Sequence, residues 1–270
     1  MTSRTLSRFF RRSLLALAPT VFAGSLAAQD VAEDIHLAVQ AQLARDPATA
    51  LTYLERALSA DPNSYEANWR TAEILMDIGK QTPDSVKSAE RDSIYARSER
   101  VARNAVAANT EGPEGYYVLA AAIGRASLTK SSKERVKRAA EIREAALKAI
   151  QLDSLNHKAY HVMGRWNAEI MRLSGLSRFF AKTFLGGKIF NAASWDSATV
   201  YMEKAVAVSP ENIYHHLDLA EIQIDRGRYS AARENLDRIE ALPVYDVMDP
   251  TYKLRAASLL KKIEGKKDKN

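Results

Sequence analysis

Ala57-Leu-Ser-Ala-Asp-Pro62, Ala105-Val-Ala-Ala-Asn-Thr110, Ala149-Ile-Gln-Leu-Asp-Ser154 and Ala205-Val-Ala-Val-Ser-Pro210 are four versions of one phrase. Each closes a stretch whose apolar residues have helical spacing, and each is followed by another such stretch. A helix-end signal that returns every few tens of residues marks stacked helical hairpins. A single hairpin cannot bury its apolar face, so each unit depends on its neighbours. The leading alanines are 48, 44 and 56 residues apart, whereas a compact hairpin repeat occupies about 34. The excess belongs in loops inside the hairpins, and loops of that length are usually functional or disordered.

The residues between the phrases resemble tetratricopeptide repeats, in which small residues let two helices approach and bulky ones fill the gaps between hairpins. The first unit covers about 32–62, with Ala50, Leu54 and Ala57 on its second helix and Asp46-Pro47 as its N-terminal signal. The second opens near 65 with Trp69, Ala72 and Leu75, and Gly79 reads as the end of that helix. Its partner helix spans about 91–108, with Ser98, Ala102 and Ala105 at the packing positions. The third begins at Pro113, breaks at 127–132 and continues as a long charged helix to Leu152. The fourth carries Tyr160, Met163 and Gly164, then an insertion at about 174–193, then a helix from Trp195 to Val208. The fifth is compact, from Leu219 and Ala220 through Gly227, Tyr229, Ala232 and Leu236 to Pro243. The expected fold is therefore all-α: a tetratricopeptide-like helical-hairpin solenoid of about five hairpins plus a C-terminal capping helix at about 249–263. The expected domain limits are a signal peptide at 1–28, the repeat domain at 29–263 and a basic disordered tail at 264–270.

The 270-residue chain is 46% hydrophobic, enough for a substantial core. Its net charge of +6 is concentrated at the ends. The leader holds four arginines and no acid, the last ten residues carry +3, and the body between them is close to −1. No phosphate-binding surface follows from that distribution, and no nucleic-acid partner is expected. The absence of cysteine removes disulfides, thiolate metal sites, cysteine nucleophiles and lipid attachment at cysteine.

Residues 1–28 have the form of an export signal: Arg4 to Arg12 as a positive region, an uncharged and largely apolar run to Ala28, and small residues at Ser25 and Ala27. Cleavage near Ala27 or Ala28 would leave a periplasmic or secreted protein. The Arg- and Ser-rich, acid-free composition also suits a mitochondrial presequence, which is the alternative.

His161-Val-Met-Gly-Arg-Trp166, Leu173-Ser-Gly-Leu-Ser-Arg-Phe-Phe180, Phe184-Leu-Gly186 and Ala193-Ser-Trp-Asp-Ser-Ala198 resemble the corresponding run of the regulator of microtubule dynamics family. The likeness includes Lys204 to Pro210. It is specific over about 157–243 and loose over 30–156. It implies a tetratricopeptide-like adaptor whose fourth hairpin carries an insertion, and it brings no catalytic residues. In eukaryotic members it implies association with microtubules or organelle membranes. That role does not extend to a chain with a bacterial-looking export signal, which is expected to be a bacterial exported member.

Projecting the repeat onto the chain places Trp69, Tyr117, Arg125, His161, Arg165 and Leu217 along the first helices of the hairpins, where an aromatic and Arg-lined groove suits a protein or peptide partner. Packing between hairpins is the competing role for Trp69 and Tyr117, and a structural ion pair for Arg165. Leu176, Phe179, Phe180 and Phe184 form an apolar stripe beside Arg178 and Lys182 in the insertion, a candidate membrane or partner element that would equally serve by packing on the array. His157 and His161, four apart, lack a third metal ligand, and His215-His216 point to different sides of a helix. Lys130, Lys133, Arg135, Lys137 and Arg138 form a basic cluster with acidic neighbours, expected to be a solvated face. Catalytic residues, metals and cofactors are not expected, because no phosphate loop or nucleophile constellation is present. The expected function is a non-catalytic scaffold, with a membrane-peripheral scaffold as alternative and an enzyme site under the insertion as the weakest reading.

Overall fold

The computed structural model describes residues 21–128, 130–173 and 188–269. Eleven α-helices follow one another in these residues: α1 Val21–Leu43, α2 Pro47–Ala60, α3 Tyr65–Lys80, α4 Ala89–Ala108, α5 Pro113–Ala126, α6 Ser132–Leu152, α7 His157–Arg172, α8 Trp195–Val208, α9 Ile213–Asp225, α10 Tyr229–Ala241 and α11 Asp249–Lys262. A 3-10 turn, Lys188–Ala192, precedes α8. There is no strand among the described residues. Most of the leader, and with it Arg4 to Arg12, lies outside them, as do Leu176, Phe179, Phe180 and Phe184. No helix of the described residues is long and apolar enough to cross a membrane.

The repeated phrase makes one turn three times. Asp61, Asn109 and Asp153 end α2, α4 and α6, and the side chain of each accepts the amide of the residue two further on. This local bond is why short Asx residues stop a helix. α3, α7 and α9 are each capped by a side chain accepting the third amide, from Ser64, Asn156 and Asn212, whereas α5, after Asn109, has Gly112 at that position and no side-chain cap. The four leading alanines of the phrases are all fully buried. A side chain larger than the methyl would have to displace the groups packed on it, as at Ala105 of α4, whose backbone lies against Gly115 of α5.

The odd-numbered helices touch in a row, α3 to α5, α5 to α7, α7 to α9 and α9 to α11. The even-numbered ones form the other layer, linked across the outside by Arg97–Glu55, Arg103–Glu141 and Arg138–Glu99. The row of first helices is curved. Glu73 on α3 reaches Lys158 on α7, past α5, and Arg125 on α5 reaches Tyr214 on α9, past α7. Side chains span alternate helices only on the inside of a bend.

Two expectations are corrected by packing. Gly79 does not end its helix, which runs to Lys80, and it is not among the positive-φ residues. It is glycine because the ring of Tyr95 from α4 occupies the space that a Cβ would need. The C-terminal tail is held, not free. The Asp268 carboxylate accepts the Ser230 amide, the Lys269 amide donates to the Gly227 carbonyl, and Arg233 donates to the Ile263 and Lys266 carbonyls. The N-terminus of α10 has no cap of its own, since Arg228 stands at that position. Asp268 supplies the missing acceptor from 38 residues away. Gly227, at φ +72°, makes the turn into α10, a conformation that favours glycine.

The end of the insertion belongs to the array. Phe190 is buried in the central core with Trp166 and Ile170, and Ile189 packs against it.

Candidate functional site

The inside of the bend is polar, although it is built from first helices whose opposite sides are core. On α3, Glu73, Asp77 and Lys80 follow one another at helical spacing and therefore share a face. Glu73 accepts from Lys158 Nζ and from the Tyr117 hydroxyl. Burial pushes its carboxyl up, but the Lys158 charge and hydrogen bond outweigh it and hold the pKa below the usual range. Asp77 accepts from Lys80 Nζ at 2.8 Å. Burial, aided by the nearby Asp246 and Glu73, raises its pKa to about 6 despite Lys80.

Across the bend, Arg165 Nη1 on α7 lies 2.5 Å from the Tyr214 hydroxyl and 3.1 Å from Asp218 Oδ2, both on α9. Arg125 Nη2 reaches the same hydroxyl at 3.2 Å. The Tyr214 ring stacks on Tyr252 of α11 at 4.6 Å, nearly parallel. Burial opposes ionisation of Asp218, yet Arg165 and His161 keep its pKa at about 2.

Three imidazoles form a row beneath these groups. His157 Nδ1 is 2.7 Å from His215 Nε2, and His215 Nδ1 is 2.9 Å from His161 Nδ1. The Nε2 of His161 lies 3.1 Å from Asp218 Oδ2, at ion-pair distance but off the line of a hydrogen bond. Burial lowers all three pKa values, that of His157 to about 4, with neighbouring positive groups adding to the effect. The two partners of His215 sit on opposite nitrogens of its ring, so one ion cannot take all three imidazoles. Among the described residues no group of His and acidic side chains is arranged to hold a metal.

Of the residues projected onto the groove, Tyr117, Arg125, His161 and Arg165 come together here. His161 is a buried floor group and not a lining one. Trp69 lies against the central core, with the Arg70 guanidinium 4.3 Å over its ring. Leu217 does not line the groove: it is 3% exposed and packs with Ile213, Ala220 and Leu236 in the C-terminal core. The projection missed Glu73, Asp77, Lys80, Lys158, Tyr214, His215, Asp218 and Tyr252. Their signal was present as polar residues at i, i+4 and i+7 on first helices, such as Tyr214 and Asp218. His216 faces away, toward Asn235 and the Pro210 carbonyl, as expected for the neighbour of His215.

A family model described as Regulator of microtubule dynamics protein 1-3 matches residues 34–264. The chain belongs to the regulator of microtubule dynamics family. The match runs through both loosely and closely similar parts of the sequence and takes in every helix of the inner row from α3 to α11. No curated protein matches this family member. Its fold is similar to that of a thermophilic tetratricopeptide-repeat protein of Thermus thermophilus, with 20% identity, TM-score 0.61, 86% of this chain and 99% of that one covered. The type IV pilus biogenesis factor PilW is similar at 16% identity and TM-score 0.52, covering 87% and 93%. PilF of Pseudomonas aeruginosa is similar at 14% identity and TM-score 0.51, covering 88% and 93%. At these identities the likeness establishes the tetratricopeptide fold.

Proposed function

We propose that the protein is a non-catalytic scaffold that holds a segment of a partner protein against the inner face of its bend. One observation carries this reading. In three ion pairs along that face the acid is the floor and the cation faces the opening. Glu73 is 10% exposed and Lys158 39%, Asp218 8% and Arg165 37%, Asp77 7% and Lys80 18%. The carboxylates are spent on internal bonds, while Lys158 and Arg165 keep donors toward solvent beside the rings of Tyr117 and Tyr214. Half-exposed cations over tyrosine faces, on a rigid helical row, are suited to recognising a polypeptide.

The test is a crosslinking capture of partners by the full protein from its own cell envelope, with Arg165→Gln as control and melting curves to confirm that the control is folded. A partner captured by the wild type and lost with the variant supports the inner face. A partner retained equally by both overturns it.

The reading includes export to the periplasm or beyond, which rests on the composition of the leader. Recovery of the uncleaved chain in the cytoplasm would overturn that part. A membrane-peripheral role would rest on residues 176–184 alone, and the packing of Ile189 and Phe190 in the core favours attachment of that end of the insertion to the array.

A further inference from the structure

The joint between the fourth and fifth hairpins has a different chemistry at its front and at its back. On the inner side α7 meets α9 through polar groups: the histidine row, Arg165 against Tyr214 and Asp218, and Arg172 against Asp225. Behind, toward the outer layer, a small apolar core closes the same joint. In it Ala168 of α7 and Ala198, Met202 and Ala205 of α8 pack with Leu219 and Ile222 of α9. Among the described residues this core shares no buried member with the central core or with the C-terminal one. A hydrogen-bonded front and a separate apolar back make a hinge, because the front can part while the back keeps its contacts.

The row at the front has a fixed capacity for protons. Its two bonds join four ring nitrogens, at 2.7 and 2.9 Å, and each bond holds one hydrogen. The outer Nε2 atoms of His157 and His161 can carry one more each. Three neutral rings bring three protons, so the closed row has room for one extra and no more. A second extra proton puts two N–H groups face to face across one of the bonds, and that bond must open.

The charges around the row do not invite even the first. α7 adds Lys158 and Arg165, and α9 adds Asp218 and the Tyr214 ring, 4.4 Å from that of His161. Glu73 and Lys80 face it from α3 and Asp153 from the end of α6. α5 sends Tyr117 to Glu73 and Arg125 to Tyr214, and α11 stacks Tyr252 on Tyr214. α8 and α10 stand behind, with Lys204 over Tyr160 and Asn235 on His216. The two buried acids nearest the row are already paired, Glu73 with Lys158 and Asp218 with Arg165.

We infer that the joint between α7 and α9 is an acid-opened hinge: as pH falls below the range in which a solvated imidazole titrates, the row takes up protons that it can hold only when parted, and the fifth hairpin with α11 swings from the fourth about the apolar core behind it. Parted rings take three protons, and the closed row one at most. Opening is therefore linked to at least two protons, and its equilibrium constant rises about a hundredfold or more between pH 7 and 5. Arg165 and Tyr214 stand on opposite sides of the hinge, so opening would separate the cation and the ring of the inner face and release a held segment. That consequence rests on the inner-face reading proposed above, and the hinge itself does not.

The chain has no cysteine, so a pair introduced by Ser59→Cys on α2 and Ser258→Cys on α11, both exposed positions, takes spin labels alone. Pulsed electron paramagnetic resonance on the full protein then reads the separation of the two ends of the array. The expected result is one separation at pH 7 and a second, longer one at pH 5, with unchanged helical circular dichroism. Adding His157→Gln, His161→Gln and His215→Gln should keep the pH 7 separation at pH 5, because an amide donates and accepts without titrating. If that variant does not fold, His157→Gln alone serves: it removes one proton from the count and should cut the rise about tenfold. The same separation at both pH values overturns the hinge, and so does a rise that survives loss of the histidines. Loss of the helical signal together with the change overturns it too, since the row would then hold the whole fold and not one joint. No partner is needed for the measurement, so its failure leaves the inner-face reading standing, and failure of that reading leaves the hinge.

Discussion

The Nδ1 atoms of His161 and His215 lie 2.9 Å apart, one on α7 and the other on α9, so a single hydrogen joins two hairpins. A neutral imidazole has one donor and one acceptor, which locks the tautomers of the row together. If His215 Nδ1–H donates to His161, its Nε2 accepts from His157 Nδ1–H, and His161 carries its proton on Nε2, toward Asp218. In that arrangement an extra proton on His215 Nε2 or on His161 Nδ1 replaces an acceptor by a donor and breaks a bond between hairpins.

The pH dependence follows from that geometry. The folded histidines have pKa values below the unfolded value of about 6.5, that of His157 at about 4. The unfolded chain takes up protons first, so their contribution is intact above pH 6.5 and is lost as pH falls toward 4. Asp77 acts oppositely. Its folded pKa of about 6 is above its ordinary value, so its cost is present above pH 6 and relieved on acidification. Melting temperatures should fall between pH 7 and 5, more steeply for Asp77→Asn and less steeply for His157→Gln/His215→Gln. Three parallel curves would refute the assignment.

Gly164 of α7 faces α8, and a Cβ there would stand 2.9 Å from Met202 Cε and 3.2 Å from the Met202 backbone nitrogen. The side chain can yield, but the backbone cannot without moving the helix. Gly164→Leu should cost about 1–3 kcal/mol or more, seen as a lower denaturant midpoint. An unchanged midpoint would mean that α7 and α8 do not pack at this point.

Glu73 is a buried carboxylate whose compensation comes from Lys158 and Tyr117. Lys158→Met alone strands it and should cost more than Lys158→Met combined with Glu73→Gln, because an unpaired buried charge is worse than none. A double-mutant cycle with no coupling would show that Lys158 leaves the bend in solution.

Removal of residues 266–270 takes away the Asp268 acceptor and should speed hydrogen exchange at the Ser230 amide and the first turn of α10, leaving α7 unaffected. Equal exchange in both forms would place the tail off the helix.

The sequence alone determined the helices and their order. Leucine and alanine at helical spacing, Asx and Ser residues at the breaks, and a phrase that opens on an alanine are local features, and each acts within a few residues of itself. They sufficed for the hairpins, for the α8 limits Trp195 and Val208 and for the capping helix. Only the tertiary structure decided what the bend holds. Leu217 and Asp218 are adjacent, yet one is core and the other pairs with Arg165, because the rotation of α9 is set by what packs behind it. Gly79 reads as a stop until the Tyr95 ring is found against it, and the tail reads as free until Asp268 meets an uncapped helix. The meeting of Glu73 with Lys158 spans 85 residues and depends on the curvature of the stack. That curvature is the sum of many small hairpin rotations, and no short stretch of sequence encodes it.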